Sequence, residues 1–150
     1  MAVRLAGPSD RDALAALMRT FEGEFGNTID PGLEERLDRL LVGSTTTFLL
    51  AGEPAFGFAA LRLRDSYLTA TPETHLDDLF VVPERRGEGH GRALLEGAIA
   101  RARELGASHF ELTTTEEDVE AAALYRSAGL RQTEEDEPGS GVVIWFGLDL

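Results

Sequence analysis

The chain has 150 residues, 43% of them hydrophobic, which is enough to bury one proper core and points to a single domain over 1–150. It contains no cysteine, which excludes disulfides, thiolate metal sites and any acyl-cysteine intermediate. The basic residues are fourteen arginines and no lysine against twenty-seven Asp and Glu, and the resulting net charge of −13 repels nucleic acid and attracts small cations.

No charged leader precedes a long apolar run at the N-terminus, and the run ALAALM at 13–18 is too short to cross a bilayer. A soluble, cytoplasmic protein without membrane contact is expected. VRLA at 3–6 reads as a short strand. Residues 9–25 read as an amphipathic helix, with Ser9 and Asp10 as cap candidates and Leu14, Leu17, Met18 and Phe21 on one stripe. A shorter helix follows over 30–41. Residues 45–64 then form a hairpin that bends at AGEP, 51–54, because β-branched and aromatic residues occupy both arms.

THLDDLFVV at 74–82 extends the sheet until Pro83, which cannot donate to a ladder. Past the glycines of 87–91, the residues Leu94, Leu95, Ala98, Ile99, Ala102 and Leu105 recur at helical spacing up to Gly106. SHFELTTT, 108–115, is another strand. Glu116, Glu117 and Asp118 suit the first turn of a helix whose stripe is Ala121, Leu124, Tyr125 and Ala128. Two last strands, 130–134 and 142–150, flank the polar loop EDEPGSG at 135–141. The order β-α-α-β-β-β-α-β-α-β-β describes an α/β fold with a mixed central sheet flanked by helices.

The segment LFVVPERRGEGHGRALL, 79–95, carries the chemistry. Strand, arginine-glycine loop and helix in succession make an anion site, because glycine lets backbone N–H groups approach a phosphate and the helix N-terminus adds partial positive charge. Arg85, Arg86 and Arg92 concentrate positive charge there. A GxxxxGK[ST] phosphate loop would need the lysine this chain lacks. A GxGxxG dinucleotide fingerprint puts Arg92 or Leu94 where its last glycine should be, so neither register works.

The pattern that fits is R-x-x-G-x-G over Arg86, Gly87, Glu88, Gly89, His90 and Gly91. With it the chain resembles the GNAT superfamily of acetyl-CoA-dependent N-acetyltransferases over nearly its whole length. LDDLFVVPERRGEGHG is similar to the family's strand and loop, Gly57 to the glycine of the preceding arm, and DVEAAALYRSAGL at 118–130 to the motif of the next helix.

The resemblance implies a GNAT-like sheet and acetyl-CoA as cosubstrate. Backbone N–H groups from Gly87 to Arg92 would hold the pyrophosphate, and the pantetheine arm would lie along Leu79, Phe80 and Val81, with backbone donors near Val81 for the oxyanion. Tyr125 would give a proton to the departing thiolate. Asp118 stands where the family has Asn and lacks the amide donor of that residue.

Asp77 and Asp78 compete as the base. Adjacent strand residues face opposite sides unless a bulge intervenes, and Asp77 is preferred because it occupies the glutamate position of the family-like motif. His75, His90 and His109 are scattered, so no metal is expected. Without cysteine, the implied mechanism is direct attack by a neutral amine in a ternary complex.

The acceptor expected from the charge is a small cationic amine, with Phe21, Glu22, Glu24, Phe25 and Tyr67 as pocket candidates. A homodimer is compatible with this reading. Two alternatives stay open: acetylation of a protein N-terminus or lysine, and an acetyl-CoA-binding module without turnover.

Overall fold

The computed structural model describes residues 3–115, 118–134 and 143–150. Glu116, Glu117 and the loop 135–141 therefore lie outside the described residues. The strands are β1 (Val3–Leu5), β2 (Thr46–Ala51), β3 (Gly57–Arg64), β4 (Glu73–Val81), β5 (His109–Thr115), β6 (Arg131–Glu134) and β7 (Val143–Asp149). The helices are α1 (Arg11–Glu24), α2 (Leu33–Val42), α3 (His90–Glu104) and α4 (Val119–Ser127), so the element order read from the sequence is the order observed.

The strands form one sheet in the order β1-β2-β3-β4-β5-β7-β6, in which only the β4–β5 pair is parallel. Alternation divides the side chains between two cores. On one face Leu49, Leu61, Leu76 and Phe110 pack with Leu94, Leu95, Ala98 and Ile99 of α3 and with Tyr125 of α4. On the other, Phe48, Leu50, Phe58 and Phe80 pack with Leu14 and Leu17 of α1 and Leu37 of α2. The two helical stripes are apolar because each covers one side of the same sheet.

Local details differ from the sequence expectation at the start of α1. Asp10 occupies the N-cap position of that helix but its side chain makes no cap bond; a 3-10 turn over Pro8–Asp10 precedes the helix, and the Asp10 carboxylate accepts from the Gly7 amide at 2.8 Å and pairs with Arg4. Gly57 is required by close packing: a Cβ there would lie 2.9 Å from the Phe80 carbonyl oxygen, a backbone atom that cannot turn aside. That close approach holds β3 against β4 beside the glycine loop.

Candidate active site

The sheet opens at its centre. β4 pairs with β5 only over Glu73–Leu76 against His109–Leu112, yet β4 runs on to Val81 and β5 to Thr115. β7 pairs with β5 along its other edge from His109 to Thr115, so over Thr113–Thr115 β5 keeps that partner and has lost β4. The two parallel strands therefore diverge, leaving one edge of β4 from Asp77 to Val81 without a strand partner.

The free edge has a defined polarity. The Val82 amide donates to the Phe56 carbonyl at 2.9 Å, so by antiparallel alternation Phe80 and Val82 turn their polar groups to β3 while Leu79 and Val81 turn theirs away from it, the Val81 carbonyl accepting from Arg86 Nε at 2.8 Å. This is the backbone along which an extended ligand can be bonded.

At the end of β4 the chain turns through Pro83–Arg85 and enters α3 with positive φ at Gly87 (77°) and Gly89 (85°). L side chains are strained in that region, so glycine sets the loop path. Gly89 is the N-cap residue of α3 and no side chain caps that helix. The amides of Gly87, Glu88 and Gly89 donate to no protein acceptor among the described residues. An open helix N-terminus with glycine-exposed amides is suited to a phosphate.

The three arginines do not stand free over this loop. Arg85 pairs with Glu88 at 2.9 Å and stacks 4.0 Å over the Phe56 ring. Arg92 pairs with Glu96 and donates to the Ser127 hydroxyl at 2.8 Å, tying α3 to the C-terminal end of α4. Arg86 points away from the loop, where its Nε donates to the Val81 carbonyl at 2.8 Å and its guanidinium holds both Glu24 oxygens at 3.0 Å. The groups left open at this loop are thus backbone amides and the helix end, and the arginines brace the loop against α1 and α4.

We expect Gly89→Val to abolish acetyl-CoA binding because a branched side chain is strained at φ 85° and blocks the amides; the strain should lower the melting temperature by several degrees while the chain stays folded. Calorimetric titration checks this, and an unchanged affinity would move the phosphate site elsewhere.

Tyr125 lies on the α3/α4 side, buried beside Phe146 with ring centroids 5.6 Å apart. Its hydroxyl makes no hydrogen bond to the described residues. Burial, with a smaller contribution from the Asp118 charge, pushes its pKa up to about 12, so it keeps its proton. Asp118 is the N-cap residue of α4, and one of its carboxylate oxygens accepts from the Ala121 amide at 3.0 Å. A helix cap is the role its geometry displays.

The two aspartates are separated in chemistry by a bulge. Ala60 faces Asp78 and Leu61 faces Leu76, so Asp77 is the extra residue on β4 and alternation is interrupted there. Asp78 is consequently turned to the α1/α2 side, as are Arg62 and His75, the partners of Asp77.

Asp77 accepts from Arg62 at 2.6 and 3.0 Å and meets His75 Nδ1 at 2.8 Å. Burial pushes its pKa up, but the hydrogen bonds from His75 and Arg62 outweigh that and leave it below the usual carboxylate range. Asp78 has no such partner. Burial, then the charges of Asp77 and Glu22, raise its pKa to about 6.

Asp78 opens on a cleft of about 510 Å³, bordered also by Phe21, Glu22, Asp30, Arg36 and Phe58. Of the acceptor candidates read from the sequence, Phe21 and Glu22 line it. Glu24 is instead engaged by Arg86, Phe25 is 66% exposed and touches Phe21 edge-on, and Tyr67 is 97% exposed on the β3–β4 loop. Asp30 and Arg36 also border the cleft, and no sequence pattern marks them. Arg36 donates to the Asp30 and Pro31 carbonyls at 2.8 and 2.7 Å, a loop staple that spacing alone does not announce.

The gap in the sheet thus connects two unlike sides. One carries a phenol that holds its proton and the glycine loop; the other carries a carboxylate that loses its proton near neutrality and an acidic, aromatic cleft.

Comparison with known proteins agrees with this geometry. The profile of the Acetyltransferase (GNAT) family matches residues 14–130. An aminoglycoside N(6')-acetyltransferase type 1 from Stenotrophomonas maltophilia is 35% identical over 99% of this chain and 93% of its own length. A streptothricin acetyltransferase from Streptomyces lavendulae is 33% identical over 75% of this chain and 56% of its own length. A solved protein from Arthrobacter sp. FB24 superposes with a TM-score of 0.82 at 34% identity, covering 95% of this chain and 90% of that one. The fold also matches, at a TM-score of 0.78 and 21% identity over 91% of both chains, an aminoglycoside acetyltransferase from an uncultured soil metagenomic sample solved with sisomicin. A profile match over most of the chain, together with the opened sheet and its glycine loop, places the protein in the GNAT family of acetyltransferases.

Proposed function

We propose that the protein moves an acetyl group from acetyl-CoA to a primary amine of a small cationic acceptor by direct attack. The observation that carries the reading is Asp78, a partly buried carboxylate with a pKa raised to about 6, facing a cleft that also holds Glu22 and Asp30. The relatives that acetylate aminoglycosides and streptothricin support an amine acceptor of this kind.

The amides of Gly87 to Arg92 would hold the pyrophosphate, and Leu79 and Val81 would bond the pantetheine arm through their main chain. Asp78 removes a proton from the incoming ammonium, freeing the lone pair that forms the C–N bond. Charge on the carbonyl oxygen is met by backbone donors at the gap near Val81. As the C–S bond breaks, Tyr125 gives its proton to the leaving sulfur, so that a thiol departs in place of a thiolate, and the second proton lost by the acetylated nitrogen returns to the phenolate through solvent. No cysteine is available for an acetyl-enzyme, consistent with one direct transfer.

Release of the coenzyme A thiol in a panel of amines tests the reading, and the readout is clean because the protein contributes no thiol. Within the panel, kcat/KM for a diamine should fall as salt rises, whereas that for the monoamine of equal length should barely change. The Debye length shrinks from about 10 Å at 0.1 M to about 3 Å at 1 M, which screens the attraction between the second ammonium and the cleft acids. Identical salt slopes, or preference for a peptide N-terminus in the same panel, would displace the cationic small-molecule acceptor.

A further inference from the structure

A second hollow, of about 210 Å³, lies on the same sheet face as the acceptor cleft and is bordered by Arg62, Arg64, Glu73, His75, Glu111 and Trp145. Alternation explains its lining: Phe110, Leu112 and Phe146 point into the α3/α4 core, which turns Glu111 of β5 and Trp145 of β7 to the opposite side. The residues that line the two hollows approach each other at the β4 bulge. Asp78 borders the first, and its neighbour Asp77 is bonded to Arg62 and His75 of the second.

The chemistry of this hollow is specific. Arg64 is shared between Glu73 at 2.8 Å and Glu111 at 3.6 Å, so one guanidinium faces two carboxylates. With Arg62 paired to Asp77, the local sum is two arginines against three acids, and one negative charge remains with His neutral. Trp145 supplies an aromatic wall, steadied by the His75 ring edge-on at 6.0 Å. An indole face accepts the C–H surface of a sugar ring or a cation, while the carboxylates accept from hydroxyl and ammonium groups and the guanidinium groups donate to hydroxyl oxygens. The volume is below the roughly 300 to 1,000 Å³ of a pocket for a whole drug-sized ligand, which suits one ring.

We propose that this hollow is a subsite for a distal amino-sugar ring of the acceptor, with Trp145, Glu73 and Glu111 as its specificity-determining residues and the reacting amine at Asp78. The inference rests on the amine-acetylating reading above and extends it from any small cation to a multi-ring amino sugar.

Trp145 is the one tryptophan of the chain, so its emission reports the subsite directly. With coenzyme A saturating, sisomicin should change that emission saturably, and putrescine should not. Glu111→Gln and Glu73→Gln should each raise KM for sisomicin about tenfold, with kcat and acetyl-CoA affinity within twofold; acetyl-CoA affinity also verifies that each variant is folded. Acetylation of sisomicin without an emission change, an unaltered KM in both variants, or turnover of putrescine but not of sisomicin would overturn the subsite and leave amine acetylation standing. Acetyl-CoA binding with no amine turned over at all would overturn both.

Discussion

Tyr125→Phe should lower kcat by about 10²- to 10⁴-fold while leaving acetyl-CoA affinity within about twofold. The substitution deletes one hydroxyl that bonds to no described residue, so the packing against Phe146 survives and stability should change by less than about 1 kcal/mol. The phenol suits the role because burial and the Asp118 charge hold its pKa at about 12. It is therefore protonated throughout the working range, and the pH–rate profile should carry no descending limb from it below that value. A loss of less than threefold at every pH would remove Tyr125 from the mechanism.

Asp78→Asn should lower kcat/KM by about 10²- to 10³-fold at pH 7 to 8 and erase an ascending limb centred near pH 6. The sign follows from the raised pKa: below about 6 the carboxyl holds its own proton and cannot take one from the ammonium. Asp77→Asn should behave differently. Removing its charge lowers the pKa of Asp78, so the limb shifts to lower pH while activity at pH 8 changes by less than about threefold. Equal losses in the two variants would mean that the bulge does not separate their roles.

The same shift has a stability consequence. A carboxyl with a pKa of 3.8 in the unfolded chain and about 6 in the folded one makes the folded state the better proton binder between those values. Stability contributed through Asp78 therefore rises as pH falls through 6, and at neutral pH the ionised group is destabilising. Asp78→Asn should accordingly be more stable than the parent at pH 7.5, by about 1 kcal/mol after allowance for its partial exposure, with the difference gone below pH 4. Denaturant titrations at the two pH values measure it. A variant more stable and far less active identifies a group retained for chemistry.

Local pattern carried most of the architecture. The stripe Leu94, Leu95, Ala98, Ile99 and Ala102 is buried on α3 as its spacing implies, and Pro83 does end β4. Gly87 and Gly89 adopt positive φ in the loop singled out from their spacing. These readings succeed because period, proline geometry and glycine freedom act over a few residues, within reach of the sequence.

Other features depend on which segments meet. Strand alternation put Asp77 and Asp78 on opposite sides, and one extra residue in the β4 ladder, which nothing in LDDLF announces, left Asp78 on the cleft and Asp77 between Arg62 and His75. Glu24 was a reasonable pocket acid until folding brought Arg86 to it from 62 residues away. The loop arginines suggested a positive cluster, yet each has a carboxylate partner of its own. Trp145 became the wall of a hollow only through pairing with β5 and the face its register selects. The sequence by itself determined the order of the elements, the glycine loop and the kinds of residue available for proton transfer, since those follow from local backbone chemistry. The tertiary structure decided which carboxylate is buried, which arginines are neutralised and where an acceptor can lie, because register and bulges set side-chain facing one residue at a time and charge acts through space.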